Sequence, residues 1–332
     1  MIITRTPFRI SFFGGGTDYP VWYLKRGGAV LSSTIDKYCY ITCRYLPPFF
    51  EHKNRIVWSK IESVKDIKSI EHPAVRGILE WMGMQDGVEI HHDADLPARS
   101  GLGSSSSFAV GLLHALYALQ GKMRTKRQLA LDAIHIEQEV LKEYVGSQDQ
   151  VAAAFGGLNK IEFGASHHIA VTPVTLPAGR LDYFQSHLML FYTGLSRFAS
   201  EIAAEQVKNT TRNEQELIRM GKMVSDAIAV LSGPEENFLD FGKLLHETWI
   251  LKRGLALNVT NPVIDTMYRD AREAGAIGGK LLGAGGGGFM LFFVPPAKQG
   301  MVRERLKAFL RVPFRFEHLG SQLIYYGPTQ TA

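Results

Sequence analysis

The chain has 332 residues, 45% of them hydrophobic and 21% charged, with a formal net charge of +5. That balance fits a soluble globular protein long enough for two domains. No apolar run approaches a membrane span, residues 1–7 lack the build of a signal peptide, and the basic residues are spread along the chain. A membrane protein and a dense nucleic-acid-binding tract are thereby excluded, the cytoplasm is the expected compartment, and an anionic small substrate suits the modest positive charge.

The first part of the chain reads mostly as strands. A short apolar run at 8–13 ends in Gly14-Gly15-Gly16; strands follow at 29–34 and 38–45, and residues 88–92 alternate. Cys39 and Cys43, the only cysteines, lie four apart in one alternating run and are read as buried free thiols on one strand face, because a metal site would need more ligands nearby. Residues 60–84 look partly helical. Helices are predicted at 104–120, with Gly121 as its stop, and at 126–143, where Thr125 and Gln128 make a capping box. A second such signature, Ser147 with Gln150, starts a short helix through Phe155 that Gly156-Gly157 ends. Residues 158–174 are strand-rich, and the turn region 173–180 marks a domain boundary.

The second half opens with a strand at 187–192. Helical patterns occupy 200–231, 238–255 and 262–274, and 281–294 and 314–326 resemble strands. Strands and helices come in mixed order without a repeating strand–helix period, which favours a two-domain α+β architecture over a doubly wound sheet.

Three glycine clusters carry the chemistry: residues 14–16, residues 97–107 and residues 283–288. In the second, Gly101 and Gly103 open the backbone to a ligand just before a helix start, whose positive dipole end attracts an anion such as phosphate. Alone, this loop reads as an ordinary serine cap on a buried helix. Four successive serines, 104–107, exceed what a cap needs and offer oxygens to phosphate or Mg²⁺. Gly283, Gly285 and Gly288 match G-x-G-x-x-G, yet an apolar strand pattern follows where a dinucleotide site needs a helix, so that match is rejected. The Walker phosphate loop is absent.

Taken together, Thr6-Pro-Phe-Arg-Ile-Ser-Phe-Phe-Gly-Gly-Gly-Thr-Asp18, the loop Pro97-Ala-Arg-Ser-Gly-Leu-Gly-Ser-Ser-Ser-Ser107 and Lys280-Leu-Leu-Gly-Ala-Gly-Gly-Gly-Gly-Phe289 resemble, in order and spacing, the three signature motifs of the GHMP superfamily of small-molecule kinases, named for galactokinase, homoserine kinase, mevalonate kinase and phosphomevalonate kinase. The phrases Phe13-Gly-Gly-Gly-Thr-Asp18, Val145-Gly-Ser-Gln-Asp-Gln150 and Tyr192-Thr-Gly-Leu-Ser-Arg197 are most similar to kinases of D-glycero-D-manno-heptose 7-phosphate. The resemblance implies a ribosomal protein S5 domain 2-like N-terminal domain over 1–178 and a ferredoxin-like α+β C-terminal domain over 179–332. It implies ATP and Mg²⁺ as cofactors, and phosphorylation of the anomeric C1 hydroxyl of a phosphosugar. Neither nucleic acid nor membrane is an expected partner, and a homodimer is left open.

The same resemblance distributes the roles. Asp149 is the expected acceptor of the sugar hydroxyl's proton, in a first helical turn whose dipole favours a carboxylate. Phosphoryl transfer depends mainly on positioning and charge stabilisation, so a weak base suffices. Arg9 is the motif-one cation that orients Asp149 or stabilises the transferred phosphoryl group. ATP is expected at Pro97, Gly101, Leu102, Gly103, Ser104, Ser105, Ser106, Gly285 and Gly286. Mg²⁺ is expected at Ser105 and Glu137, with Glu139 pointing elsewhere on the same helix. The sugar is expected at Gly15, Gly16, Thr17, Asp18 and Gly285. Gly15 and Gly16 replace the Glu-His pair of galactokinases, which argues against galactose and leaves room for a larger substrate. For the sugar's own phosphate Arg197 is the first candidate, followed by Lys252, Arg253 and Arg99. The nearest rival is another sugar 1-kinase, acting on fucose or an unphosphorylated heptose. A noncatalytic sugar sensor is disfavoured by the joint presence of Arg9, Asp18, Ser105, Glu137 and Asp149.

Overall fold

The computed structural model describes residues 1–98, 100–195 and 199–327. Its first half runs β1 (Ile2–Phe13), α1 (Pro20–Arg26), β2 (Gly28–Tyr45), β3 (Asn54–Val57), β4 (Ile61–Val64), α2 (Pro73–Trp81), β5 (Val88–Ala94), α3 (Ser104–Leu119), α4 (Lys126–His135), α5 (Gln148–Phe155), β6 (Leu158–Gly164) and β7 (His168–Pro173). The second half runs α6 (Arg180–Ser186), β8 (Leu188–Tyr192), α7 (Ala199–Lys208), α8 (Glu214–Ser232), α9 (Asp240–Gly254), α10 (Pro262–Glu273), β9 (Gly278–Leu281), β10 (Phe289–Phe293), α11 (Gln299–Arg305), β11 (Leu310–Arg311), β12 (Phe316–Glu317) and β13 (Gln322–Tyr326).

β1 and β2 form the spine of the first sheet, which holds nine strands among the described residues. β2 is one continuous strand where the sequence pattern predicts two. Its first part pairs with β6 and its last part with β5, so the change of partner, not a break in the chain, produces the change in pattern. The second sheet has the order β11-β8-β10-β9, all antiparallel. With helices between β8 and β9 and between β10 and β11, this is the ferredoxin-like β-α-β-β-α-β arrangement. The expected boundary after residue 178 separates the two sheets, but β12 and β13 pair with β2 and β1. Residues 316–326 therefore belong with the N-terminal sheet.

Helix ends follow local chemistry in most places. Thr125 and Gln128 form the predicted capping box of α4, and Gly121 lies just past the end of α3. The helix predicted to run to 143 instead changes at Ile136 to a π turn that ends at Val140. The pattern at 200–231 divides into α7 and α8. α1, not predicted, carries its own signals in Pro20 at its first turn and Gly27 at its end.

An aromatic cluster joins the two halves. Phe12 at the end of β1 lies 5.3 Å from Phe184, which lies 4.6 Å from Phe241 of α9. Phe241 in turn meets Phe293 of β10 at 5.7 Å. All four are fully buried, so the end of β1 is fixed against the second sheet at the point where the first glycine turn begins. Cys39 and Cys43 are both buried and unpaired, as predicted.

Candidate active site

α3 starts at Ser104 behind Gly103, a left-handed residue with φ 76°. The cap is thus glycine, not serine. Gly103 has no side-chain acceptor for the first turn, which leaves the positive end of α3 facing the loop. A Cβ on Gly103 would lie 3.2 Å from Arg9 Cγ and 3.4 Å from Asp149 Oδ2. The missing side chain is what lets the loop close over that pair.

Arg9 and Asp149 meet in a two-pronged pair. Arg9 Nε donates to Asp149 Oδ1 at 2.8 Å and Nη2 to Oδ2 at 2.7 Å, while Nη1 donates to the Gly101 carbonyl at 2.7 Å. The backbone N–H of Arg9 also donates to the Leu102 carbonyl at 3.0 Å. The Arg9 side chain is 5% exposed and that of Asp149 25%, so the carboxylate alone reaches solvent. A planar guanidinium held at three points gives the carboxylate one orientation. This geometry suits the orienting role expected of Arg9.

The start of α5, which carries Asp149, is capped from a distance. Ser147 makes no side-chain cap; its hydroxyl accepts from Gln138 Nε2 at 3.2 Å and pairs with the Tyr23 hydroxyl at 3.3 Å. In place of the predicted capping box, Asp18 Oδ2 accepts from the Gln148 N–H at 3.4 Å, and Oδ1 accepts from Gly16 N–H at 3.0 Å. Asp18 is 2% exposed. Burial, and secondarily the Asp149 charge, pushes its carboxyl above the ordinary value. The Thr17 hydroxyl is taken up inside the turn, donating to the carbonyls of Gly14 and Ala29. Gly15 and Gly16 are half-buried at the surface of the same turn. A cleft beside them is lined by Gly16, Tyr19, Thr210, Asn213 and Leu255.

The π turn sets Glu137 inward, 2% exposed, and leaves Glu139 exposed. Glu137 Oε2 accepts from Ser106 Oγ at 2.6 Å and from Gln150 Nε2 at 2.5 Å. Burial pushes this carboxyl up to about 7, with Glu143 and Asp149 adding to the effect and the two hydrogen bonds opposing it. The serine that reaches Glu137 is thus Ser106, whereas the predicted metal ligand Ser105 is exposed on the first turn of α3. Ser107 turns back to the Pro7 carbonyl at 2.9 Å.

The third glycine cluster packs onto the second. A Cβ on Gly283 would fall 2.5 Å from Gly101 Cα, so only glycine permits the two turns to touch. Gly286 donates its N–H to the Val259 carbonyl at 2.9 Å, and Gly285 sits against Val259. β10 follows directly, which bears out the rejection of a dinucleotide site.

Residues 68–157 match the model of the GHMP kinases N terminal domain, and residues 227–312 that of the GHMP kinases C terminal domain. A D-glycero-alpha-D-manno-heptose 7-phosphate kinase from Campylobacter jejuni is 31% identical over 313 residues, covering 90% of this chain and 91% of that protein. The chain belongs to the GHMP kinases. Two solved structures share the fold: a D-glycero-D-manno-heptose 1-phosphate kinase from Bacteroides thetaiotaomicron, with TM-score 0.78 and 24% identity over 98% of this chain and 99% of that one, and a putative sugar kinase from Campylobacter jejuni, with TM-score 0.70 and 27% identity over 97% and 98%.

A GHMP kinase implies a nucleotide and a divalent cation, and the residues present fit both. The glycine loop and the uncapped start of α3 suit phosphates. Glu137, the Ser106 hydroxyl that bonds to it, and the Gln150 Oε1 atom, buried with no hydrogen-bond partner, make an all-oxygen donor set of the kind Mg²⁺ prefers. Among the described residues no group of three or more His, Cys, Asp and Glu side chains is arranged to hold a metal ion by itself. Leu102 is wholly buried beneath the loop, and Pro97 is exposed at its entry.

The candidate cations for a substrate phosphate fare differently. Arg197 and Arg99 lie outside the described residues. Arg253 pairs with Asp265 at 3.1 Å. Lys252 is buried and donates to the carbonyls of Leu281 and Gly283, which removes it from the list of exposed phosphate contacts. Sequence reasoning missed Ser106, Gln148 and Gln150 as partners of the carboxylates. Their only signal is the pair of glutamines flanking Asp149, which lack an apolar reason to be buried.

Proposed function

We propose that this chain is an ATP-dependent, Mg²⁺-requiring sugar kinase that phosphorylates the anomeric C1 hydroxyl of D-glycero-D-manno-heptose 7-phosphate to give the 1,7-bisphosphate. The observation that carries the reading is Asp149, held by the buried Arg9 at the mouth of the glycine loop with one side open to solvent. The name of the 31%-identical relative supports the choice of sugar.

When bound, ATP supplies the γ-phosphoryl group and Mg²⁺ neutralises its developing charge. The chain's own part is mostly positioning, which suits a loose phosphoryl-transfer transition state. Gly101, Leu102, Gly103 and the first turn of α3, Ser104 to Ser106, hold the phosphates, with Pro97 at the entry and Gly285 and Gly286 closing the far side. Glu137, with Ser105 and Ser106, holds the cation. Gly15, Gly16 and Thr17 shape the sugar's turn. Asp18 supports it by fixing both that turn and the start of α5. Asp149 accepts the C1 hydroxyl proton on a carboxylate oxygen, and Arg9 prevents that carboxylate from rotating away. Arg197 is the proposed contact for the sugar's distal phosphate.

The test is a substrate panel of heptose 7-phosphate, unphosphorylated heptose and L-fucose, with ³¹P NMR to locate the new ester. Equal turnover of the phosphorylated and unphosphorylated heptose would remove the phosphosugar claim. Asp149→Asn should bind ATP normally and lose about 100-fold or more in kcat. Turnover like that of the wild type in this variant would refute the role of Asp149.

A further inference from the structure

Two buried lysines are left unused by this scheme. Lys252 on α9 is 6% exposed and Lys280 on β9 is 3% exposed. Taking an ammonium out of water is expensive, and a fold retains one only where something compensates. Among the described residues neither has a carboxylate within ion-pair distance. Burial drives the amine of Lys252 well below its ordinary value, helped by Lys280 and then Arg9; Lys280 falls to about 7 through burial and Arg9, with Asp18 opposing.

What each amine does have is a pair of main-chain carbonyls. Lys252 Nζ donates to Leu281 at 2.7 Å and to Gly283. Lys280 Nζ donates to Ser11 at 2.9 Å and Phe12 at 3.0 Å. These carbonyls lie on two routes to the reaction centre. Gly283 is in direct contact with Gly101, whose carbonyl accepts from Arg9, which holds Asp149. Ser11 and Phe12 follow Arg9 on β1 and lead into the turn that carries Asp18. An apolar side chain in either place would remove both hydrogen bonds that these carbonyls accept.

We propose that Lys252 and Lys280 are positioning residues for phosphoryl transfer, pinning the third glycine turn and the end of β1 so that Arg9 presents Asp149 in one orientation. The inference rests on the reading of Asp149 as the proton acceptor. A site held this way loses rate rather than affinity when its support is removed, because ground-state nucleotide binding tolerates an error that the transition state does not.

Lys252→Met and Lys280→Met keep the apolar stem and remove the donors. Each is assayed with the sugar that supports turnover in the panel above, alongside Asp149→Asn, with thermal melts to measure the folded fraction. The expected result is a kcat at least about tenfold lower with the ATP KM within about threefold of wild type. A kcat within about twofold of wild type in the folded protein, with or without a lower Tm, would overturn the proposal, as would an ATP KM raised about tenfold at unchanged kcat. If a methionine variant does not fold, the arginine variant at that position takes its place. Its longer planar head displaces the carbonyls and should cost about threefold or more in kcat alone, and a wild-type kcat there counts equally against the proposal. Normal turnover by Asp149→Asn would show that the reading of the site has failed. An inactive Asp149→Asn beside fully active lysine variants would show that only the present inference has.

Discussion

Replacing Arg9 by lysine keeps the charge and removes the fork. In the native site three bonds hold the guanidinium in place, two to Asp149 at 2.8 and 2.7 Å and one to the Gly101 carbonyl at 2.7 Å. Hydrogen bonds to charged groups contribute about 1.5–3 kcal/mol each. A lysine ammonium on a shorter reach keeps about one of them, and water replaces part of the rest because the Asp149 side chain is 25% exposed. A net loss of about 2–4 kcal/mol remains, and since the orientation of Asp149 matters most in the transition state, it should appear as a fall of about 30- to 1,000-fold in kcat. Steady-state kinetics at saturating ATP and sugar, paired with circular dichroism melts, measure this directly. A folded Arg9→Lys enzyme with kcat within about threefold of wild type would refute the claim that two-pronged orientation, rather than charge alone, is what Arg9 supplies.

Two further expectations concern Glu137. Its carboxyl is raised from 4.5 to about 7 by burial, so the folded protein binds that proton more tightly than the unfolded chain; the stability this confers is complete below about 4.5 and is lost as pH rises through about 7. Wild type should therefore lose up to ~3 kcal/mol relative to Glu137→Gln between about pH 5 and 8. Urea unfolding at both pH values reads the difference, and parallel curves for the two proteins would contradict it. The serines separate by geometry: Ser106→Ala removes a donor to Glu137 and should raise the Mg²⁺ concentration needed for half-maximal rate, whereas Ser105→Ala does so only if Ser105 turns toward the bound cation. An unchanged Mg²⁺ requirement in Ser106→Ala would argue against the Glu137 site.

Much of the fold was legible wherever the information is local. The capping box at Thr125 and Gln128, the stop at Gly121 and the strand after the third glycine cluster all depend on residues within a turn of one another. The halves of β2 were read separately because its pattern reflects two different neighbours. α5 was placed correctly for a wrong reason: the expected cap, Ser147, faces Tyr23 and Gln138, and an aspartate far back in the chain satisfies the helix start. Arg9 and Asp149, picked out by the resemblance from separate segments, meet in the fold, and the second and third glycine clusters touch through Gly101 and Gly283.

What the sequence by itself determined is thus the set of turns and helix starts that can admit a phosphate, since those follow from missing side chains and backbone dihedrals. Only the tertiary structure decided which hydroxyl meets Glu137, because a π turn resets the helical register there. It also decided that Lys252 and Lys280, read along the chain as one candidate phosphate contact and one motif letter, are buried donors to backbone carbonyls. Such contacts join segments distant in sequence, and the free energy that permits a buried amine comes from partners no local pattern can reveal.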